Sequence, residues 1–294
     1  MNTFAAHLIS DLNDFTFNVK RYSQFKYGSK RATKSLAKDL FERFRKSNTF
    51  KDFLQESEGK NILLVPSSYY YVPTASCALG HYFMKRLNVE LIKQSRRPAE
   101  LGRIYRATNY IADYAKMTGE DREKYISGDS YRVDFEQWDN TYIIFLDDVR
   151  ITGSHERRVN ELIKKAESSN ITFSYLHMYY AMVSERVTMP PQIEDYLNTN
   201  FFQENSKRLT YIIRNHDIIL NTRTIKFILG LESIIFQDFI AHQSDDFKIN
   251  LLVASYGNGY HTKNEYQENL HYLKQDIDTE LDSHSISQFN LSNY

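Results

Sequence analysis

Two adjacent carboxylates, Asp147 and Asp148, end the strongest apolar run in the chain, Tyr142-Ile143-Ile144-Phe145-Leu146. A short polar loop follows them, Val149-Arg150-Ile151-Thr152-Gly153-Ser154-His155. Acids at the carboxyl end of a buried strand stand where open parallel sheets bind ligands. Gly153 lets the backbone approach a ligand closely, and a helix starting at Ser154 offers unpaired N–H groups and a partial positive charge. An anion of phosphate size suits such a loop. Two neighbouring carboxylates accept hydrogen bonds from a vicinal diol, or hold a divalent cation through oxygen or water. A phosphate beside a diol is a ribose 5-phosphate.

Positioning these groups takes a sheet and its helices. Asn61-Ile62-Leu63-Leu64-Val65-Pro66 is a short apolar run ended by proline, which suits a buried parallel strand. The polar-aromatic turn Ser67-Ser68-Tyr69-Tyr70-Tyr71-Val72-Pro73 leads into a helix from Thr74 to Leu87, and Val89-Glu90-Leu91-Ile92-Lys93 reads as the next strand. Strand, helix, strand at this spacing is a parallel crossover unit. The alternation resumes over residues 141–188, with a helix from Ser154 to Ser168 and a strand from Ile171 to Val183. Between them, 95–140 is an insertion rich in charge and tyrosine (Arg103, Tyr105, Arg106, Tyr110, Tyr114), of the size of a lid or subdomain.

Residues 1–60 read as an N-terminal helical region, from the spacing of Phe4, Leu8, Leu12 and Phe15 and from the face formed by Leu36, Leu40, Phe41 and Phe44. The basic segment Phe25-Lys26-Tyr27-Gly28-Ser29-Lys30 between them reads as a solvated helix junction. Pro190-Pro191 marks a boundary. Beyond it a helix is expected over Thr224–Ile240 and a polar one over Lys263–Asp278, with Asn250–Tyr256 ambiguous. The expected organisation is a helical region over 1–60, an α/β core over 61–188, and a helical C-terminal extension over 189–294.

Composition narrows the classes further. With 37 Lys+Arg against 37 Asp+Glu the formal charge is zero, so nucleic acid or an acidic membrane would need a local patch to bind. Ten glycines and five prolines in 294 residues favour regular structure over glycine-built loops. The single cysteine, Cys77, rules out an internal disulfide and any multi-cysteine metal site, and reads as a buried small hydrophobe in a reducing compartment. No export signal and no membrane-spanning apolar run is visible, so a cytoplasmic location is expected. The nine histidines show no metal-ligand spacing, and no transition metal is expected. Asn215-His216-Asp217 reads as a polar turn.

The run from Tyr142 to His155 resembles the ribose-phosphate-binding motif of the type I phosphoribosyltransferases: apolar strand, two acids, variable positions, then Thr-Gly and a small hydroxyl residue. The resemblance extends more weakly over about 60–185. It implies a Rossmann-like, mostly parallel sheet flanked by helices, binding of phosphoribosyl pyrophosphate (PRPP), and pentosyl transfer or cleavage at its anomeric carbon. Asp147 and Asp148 would hold the ribose hydroxyls and, directly or through water, Mg2+. Val149, Arg150, Ile151, Thr152, Gly153, Ser154 and His155 would wrap the 5-phosphate. Ser67, Ser68 and Tyr69 fall at the family's pyrophosphate loop, and Arg96, Arg97, Arg103 and Arg106 fall where its flexible loop contacts pyrophosphate.

This chain departs from the family at four points, one being that nothing in it matches the expected nucleobase-recognition segments. His155 stands where many members have a second hydroxyl, Ile151 where purine-salvage members have an acid, and the pyrophosphate loop has no cation of its own. The overall pattern resembles the divergent members found in bacterial conflict and antiphage systems, some encoded beside retron reverse transcriptases. The partners this implies are PRPP or a related phosphorylated ribose or nucleotide, a second copy of the chain (family members are commonly dimers), and a reverse transcriptase with its nucleic acid where the gene is retron-encoded. No membrane is expected among them. The non-enzymatic alternative is a PRPP or nucleotide sensor, or a toxin module held by a partner.

Overall fold

Runs such as Ile62–Val65 and Tyr142–Leu146 are apolar at every position, so a strand made from them must be covered on both faces. The computed structural model, which describes residues 3–11, 15–106, 131–184, 193–200, 210–213 and 217–289, covers them in that way. Five strands, β1 (Thr3–Ile9), β2 (Asn61–Pro66), β3 (Glu100–Leu101), β6 (Thr141–Arg150) and β7 (Phe173–Val183), form a sheet in the order β1-β7-β6-β2-β3. Every pairing in it is parallel. Two short strands, β4 (Tyr105–Arg106) and β5 (Tyr131–Arg132), pair antiparallel outside it.

Side chains along β6 alternate between two cores. Tyr142, Ile144 and Leu146 join Leu36, Leu40 and Phe44 of α2 (Lys30–Arg45), Phe53 of α3 (Asn48–Glu56) and Leu79, Phe83 and Leu87 of α4 (Ala75–Lys93). Ile143 and Phe145 join Trp138 and the Val159, Leu162 and Ile163 face of α5 (Ser154–Ser168). A third core lies among the C-terminal helices α7 (Thr222–Leu229), α8 (Ser233–Ala241), α9 (Asp245–Gly257) and α10 (Asn264–Phe289), and it also takes in Tyr27 and Val72. Those helices therefore pack onto the segments that lead to the sheet's carboxyl edge. No helix among the described residues is long and apolar enough to cross a membrane.

Four expectations about elements are corrected. Phe4 and Leu8 belong to an edge strand, β1, whose register runs from Thr3 opposite His177 to Ile9 opposite Val183; Leu12 lies outside the described residues. Val89–Lys93 continues α4, because Leu87 and Leu91 keep the helical period and stay buried. The strand expected there is the two-residue β3, reached after the left-handed turn at Ser95 (φ 57°). The helix expected over Thr224–Ile240 is two helices, α7 and α8, broken around Gly230. The Phe25–Lys30 junction is buried: Phe25, Tyr27 and Ser29 are 1%, 6% and 0% exposed. Gly28 sits at φ +82° with the Ile219 carbonyl where a Cβ would be, and Ile219 N–H donates to the Gly28 carbonyl at 2.7 Å. Only glycine allows that approach. Pro190-Pro191, Tyr110, Tyr114, Asn215 and His216 lie outside the described residues.

Candidate functional site

The carboxyl ends of β2 and β6 emerge side by side, since the register sets Pro66 opposite Leu146. The next residues on each strand therefore meet, and Ser67 Oγ donates to Asp147 Oδ1 at 2.5 Å. Asp147 Oδ2 faces His155 Nδ1 at 3.2 Å, and Asp148 N–H donates to Asp147 Oδ1 at 2.8 Å. Burial works to raise the Asp147 pKa. The charge and hydrogen bond of His155, with Ser67 and the Asp148 amide, outweigh it, so the carboxyl is held well below the usual carboxylate range. Asp148 Oδ1 accepts from Val149 N–H at 2.8 Å, and its Oδ2 meets the Lys26 ammonium.

The loop after Asp148 turns at Gly153, which has the left-handed angles φ 69°, ψ 14° and caps α5. The first amides of α5 point out of the helix and have no intrahelical acceptor. Arg157 braces the loop from behind, donating to Thr152 O at 2.8 Å and to Ser154 Oγ at 2.9 Å, and the Thr152 and Ser154 hydroxyls lie 2.9 Å apart. Beneath the loop Glu156, 8% exposed, accepts from Tyr179 Oη at 2.9 Å and pairs with Arg150 Nε at 2.5 Å. Burial and the Glu156 charge push the Tyr179 phenol well up, so it stays a neutral donor.

These groups surround a cleft of about 240 Å³, lined by Asp147 to Glu156 together with Lys26, Tyr179, Leu197 and Asn198. All nine residues from Asp147 to His155 that the motif singles out therefore border one space. α1 (Val19–Lys26) and α6 (Ile193–Thr199) form its far wall, joined by Ser23 Oγ donating to Asn198 O at 2.7 Å. Tyr22 of α1 is fully buried, and its phenol is pushed well up by burial and then by Asp148 and Asp147.

The arginines sort into two groups. Arg103 stacks between the Tyr69 and Tyr105 rings, 4.1 Å from each centroid, and donates to Tyr70 O at 2.9 Å. Arg106 Nε donates to Ser68 Oγ at 3.1 Å. The Ser67–Tyr69 loop, without a cation of its own, thus receives two from the segment after β3. Arg96 is elsewhere: it donates to Leu54 O at 2.5 Å and Ser57 Oγ at 3.0 Å, at the end of α3 that precedes β2. That is the amino-terminal edge of the sheet, opposite the acids, so Arg96 is removed from the site. Arg97 is exposed and does not border the cleft. The Cys77 residue keeps some surface, but its thiol donates to Ser67 O at 3.5 Å and touches Thr74 Oγ1 at 3.4 Å, and burial pushes it up to about 11.

The sequence reading gave no site role to Arg157, Glu156, Tyr179 or Asn198, and took Lys26, which borders the cleft, for part of a solvated junction. Only Glu156 and Arg157, on the first turn of α5, carried a local signal, their nearness to Gly153. For metal, the donors present are hard oxygens: Asp147, Asp148 and the Ser67 hydroxyl. Among the described residues no group of three or more His, Cys, Asp and Glu side chains converges. This donor set fits Mg2+ that arrives with an oxyanion ligand and is held partly by it.

The family profile described as PRTase ComF-like matches residues 1–273, the sheet and the helices on both sides of it included. No curated protein matches the chain. A profile match of that length, on a parallel sheet whose acids and glycine loop share one cleft, makes the chain a member of the ComF-like phosphoribosyltransferase family.

Proposed function

We propose that the cleft binds the ribose 5-phosphate half of PRPP and that the protein transfers or cleaves at the anomeric carbon. The observation that carries this is the shared space: an amide-bearing loop at a helix start and two adjacent acids border the same 240 Å³. The 5-phosphate sits among the amides of 150–154, with Arg150 and Lys26 supplying charge. Asp148 and Asp147 accept from the ribose hydroxyls. Pyrophosphate lies over Ser67–Tyr69 with Arg106 beside it. Asp147 and Asp148 would hold Mg2+, directly or through water, and the ion would supply charge neutralisation to the pyrophosphate when bound.

In the reaction the bond from C1 to the pyrophosphate oxygen breaks and the acceptor's bond to C1 forms, through an oxocarbenium-like state. Positioning and fixed charges supply most of the rate in such a step. Ile151 packs against the main core, where purine-salvage relatives place an acid, so this chain offers no helper for a purine base at that position.

Calorimetry and a pyrophosphate-release assay with Mg-PRPP test the reading. Saturable binding with release, each reduced at least about tenfold by Asp148→Asn, is the expected result. Binding without release supports the sensor alternative, and no binding refutes both. A place in antiphage defence belongs to the same proposal, and a reverse transcriptase gene beside this one, with loss of phage protection on Asp148→Asn, is its test.

A further inference from the structure

The two acids of the motif have different company. Asp147 faces the pyrophosphate side through Ser67, and its other oxygen lies 3.2 Å from His155 Nδ1. Asp148 is balanced by Lys26, whose side chain is 17% exposed against 9% for the carboxylate. Lys26 stands 122 residues away in sequence and is held from several directions. Its carbonyl accepts from Asn221 Nδ2 at 3.1 Å, Ser23 of the same helix bonds Asn198 O, and the Gly28 turn is fixed to Ile219. Both the N-terminal helix and the C-terminal segment therefore press one ammonium onto the second aspartate, in the wall of the cleft.

Two adjacent, largely buried carboxylates repel an incoming phosphate unless a cation offsets them. At Asp148 that offset is a lysine built into the fold, while Asp147 faces the His155 ring and the Ser67 hydroxyl. Resting on the ribose-phosphate reading, we propose that Lys26 is a substrate-positioning residue. Its ammonium stays beside Asp148 and the bound sugar phosphate, so the ribose 5-phosphate half binds without a divalent cation. A divalent cation then matters only for the pyrophosphate half. Arginine retains the charge, and a neutral side chain hands the role to added metal.

The test is titration calorimetry of the full chain with ribose 5-phosphate, once in EDTA and once in excess magnesium. For the wild type the two Kd values are expected to agree within about twofold. Lys26→Met is expected to bind about tenfold or more weakly in EDTA and to recover with magnesium, while Lys26→Arg stays within about threefold. A purely structural lysine would lose binding equally in both buffers, and that result overturns the inference. Wild-type binding that requires magnesium overturns it without any variant, which covers the case of Lys26→Met failing to fold, and leaves the PRPP reading standing. If neither ribose 5-phosphate nor PRPP binds in either buffer, the PRPP reading itself falls.

Discussion

Replacing Gly153 with alanine separates the loop's backbone role from its ligand role. Gly153 holds φ 69°, and an added Cβ would meet Arg150 Nε at 3.4 Å, another Arg150 nitrogen at 3.5 Å and an Arg157 nitrogen at 3.6 Å. Those are ordinary contacts with the far ends of flexible side chains, so packing adds little. The left-handed backbone then sets the stability cost, about 1–2 kcal/mol for a residue with a Cβ. For a chain of this size that lowers Tm by a few degrees. The new methyl also lies beside Arg150, where the phosphate is placed. Displacing one charge-assisted hydrogen bond costs about 1.5–3 kcal/mol, or roughly 10- to 150-fold in Kd. Thermal melts with and without PRPP read both effects, since ligand at 100 times its Kd raises wild-type stability by about 2.7 kcal/mol. A small drop in the unliganded Tm is expected, with the ligand-induced rise cut to about half or less. An unchanged PRPP shift in Gly153→Ala would refute placing the phosphate at this loop.

Two further outcomes follow from side chains that brace the site. Arg103→Ala removes the guanidinium between Tyr69 and Tyr105 and frees the Ser67–Tyr71 turn; PRPP affinity should fall severalfold while ribose 5-phosphate affinity holds, measured by paired titrations. Asp39 lies in a polar cluster with His7 Nε2 at 2.6 Å and Arg43 Nε at 3.0 Å. Burial opposes its ionisation, yet His7 and Arg43 bring its pKa down to about 2. A depressed folded pKa stabilises the protein above the unfolded value near 4 and stops doing so as pH falls through about 2. Asp39→Asn should therefore melt below wild type at pH 7, the gap closing between about pH 4 and pH 2 in denaturation scans.

The site was legible where its components are contiguous. Strand, acids, glycine turn and helix start all fall between Tyr142 and His155, so residue order alone carries their geometry, and α5 begins at Ser154 as read. β2 was legible for the same reason, a run apolar at every position with proline to end it. β1 was not: Phe4 and Leu8 are four apart, as on a helix, but Leu8 is 49% exposed while Phe4, His7 and Ile9 are buried. Pairing with β7 outweighs a weak local pattern, since seven residues give too few positions to separate the two periods. β3 is two exposed residues and leaves no pattern to find.

The far wall of the cleft explains why Lys26 escaped notice. A lysine between Phe25 and Tyr27 reads as the polar punctuation of a helix end, because nothing within ten residues has an opposite charge that requires it. Its partner is set by where the chain returns. Gly28 admits the Ile219 backbone, Asn221 takes the Lys26 carbonyl, and Asn198 takes Ser23. Three segments that carry no motif converge on the one segment that does. A motif of a dozen residues can thus set the acids and the loop of a cleft, while the helices packed around it decide which charge sits opposite those acids. The family profile spans those surrounding segments as well as the strand and loop, and in this chain they are what places Lys26 against Asp148.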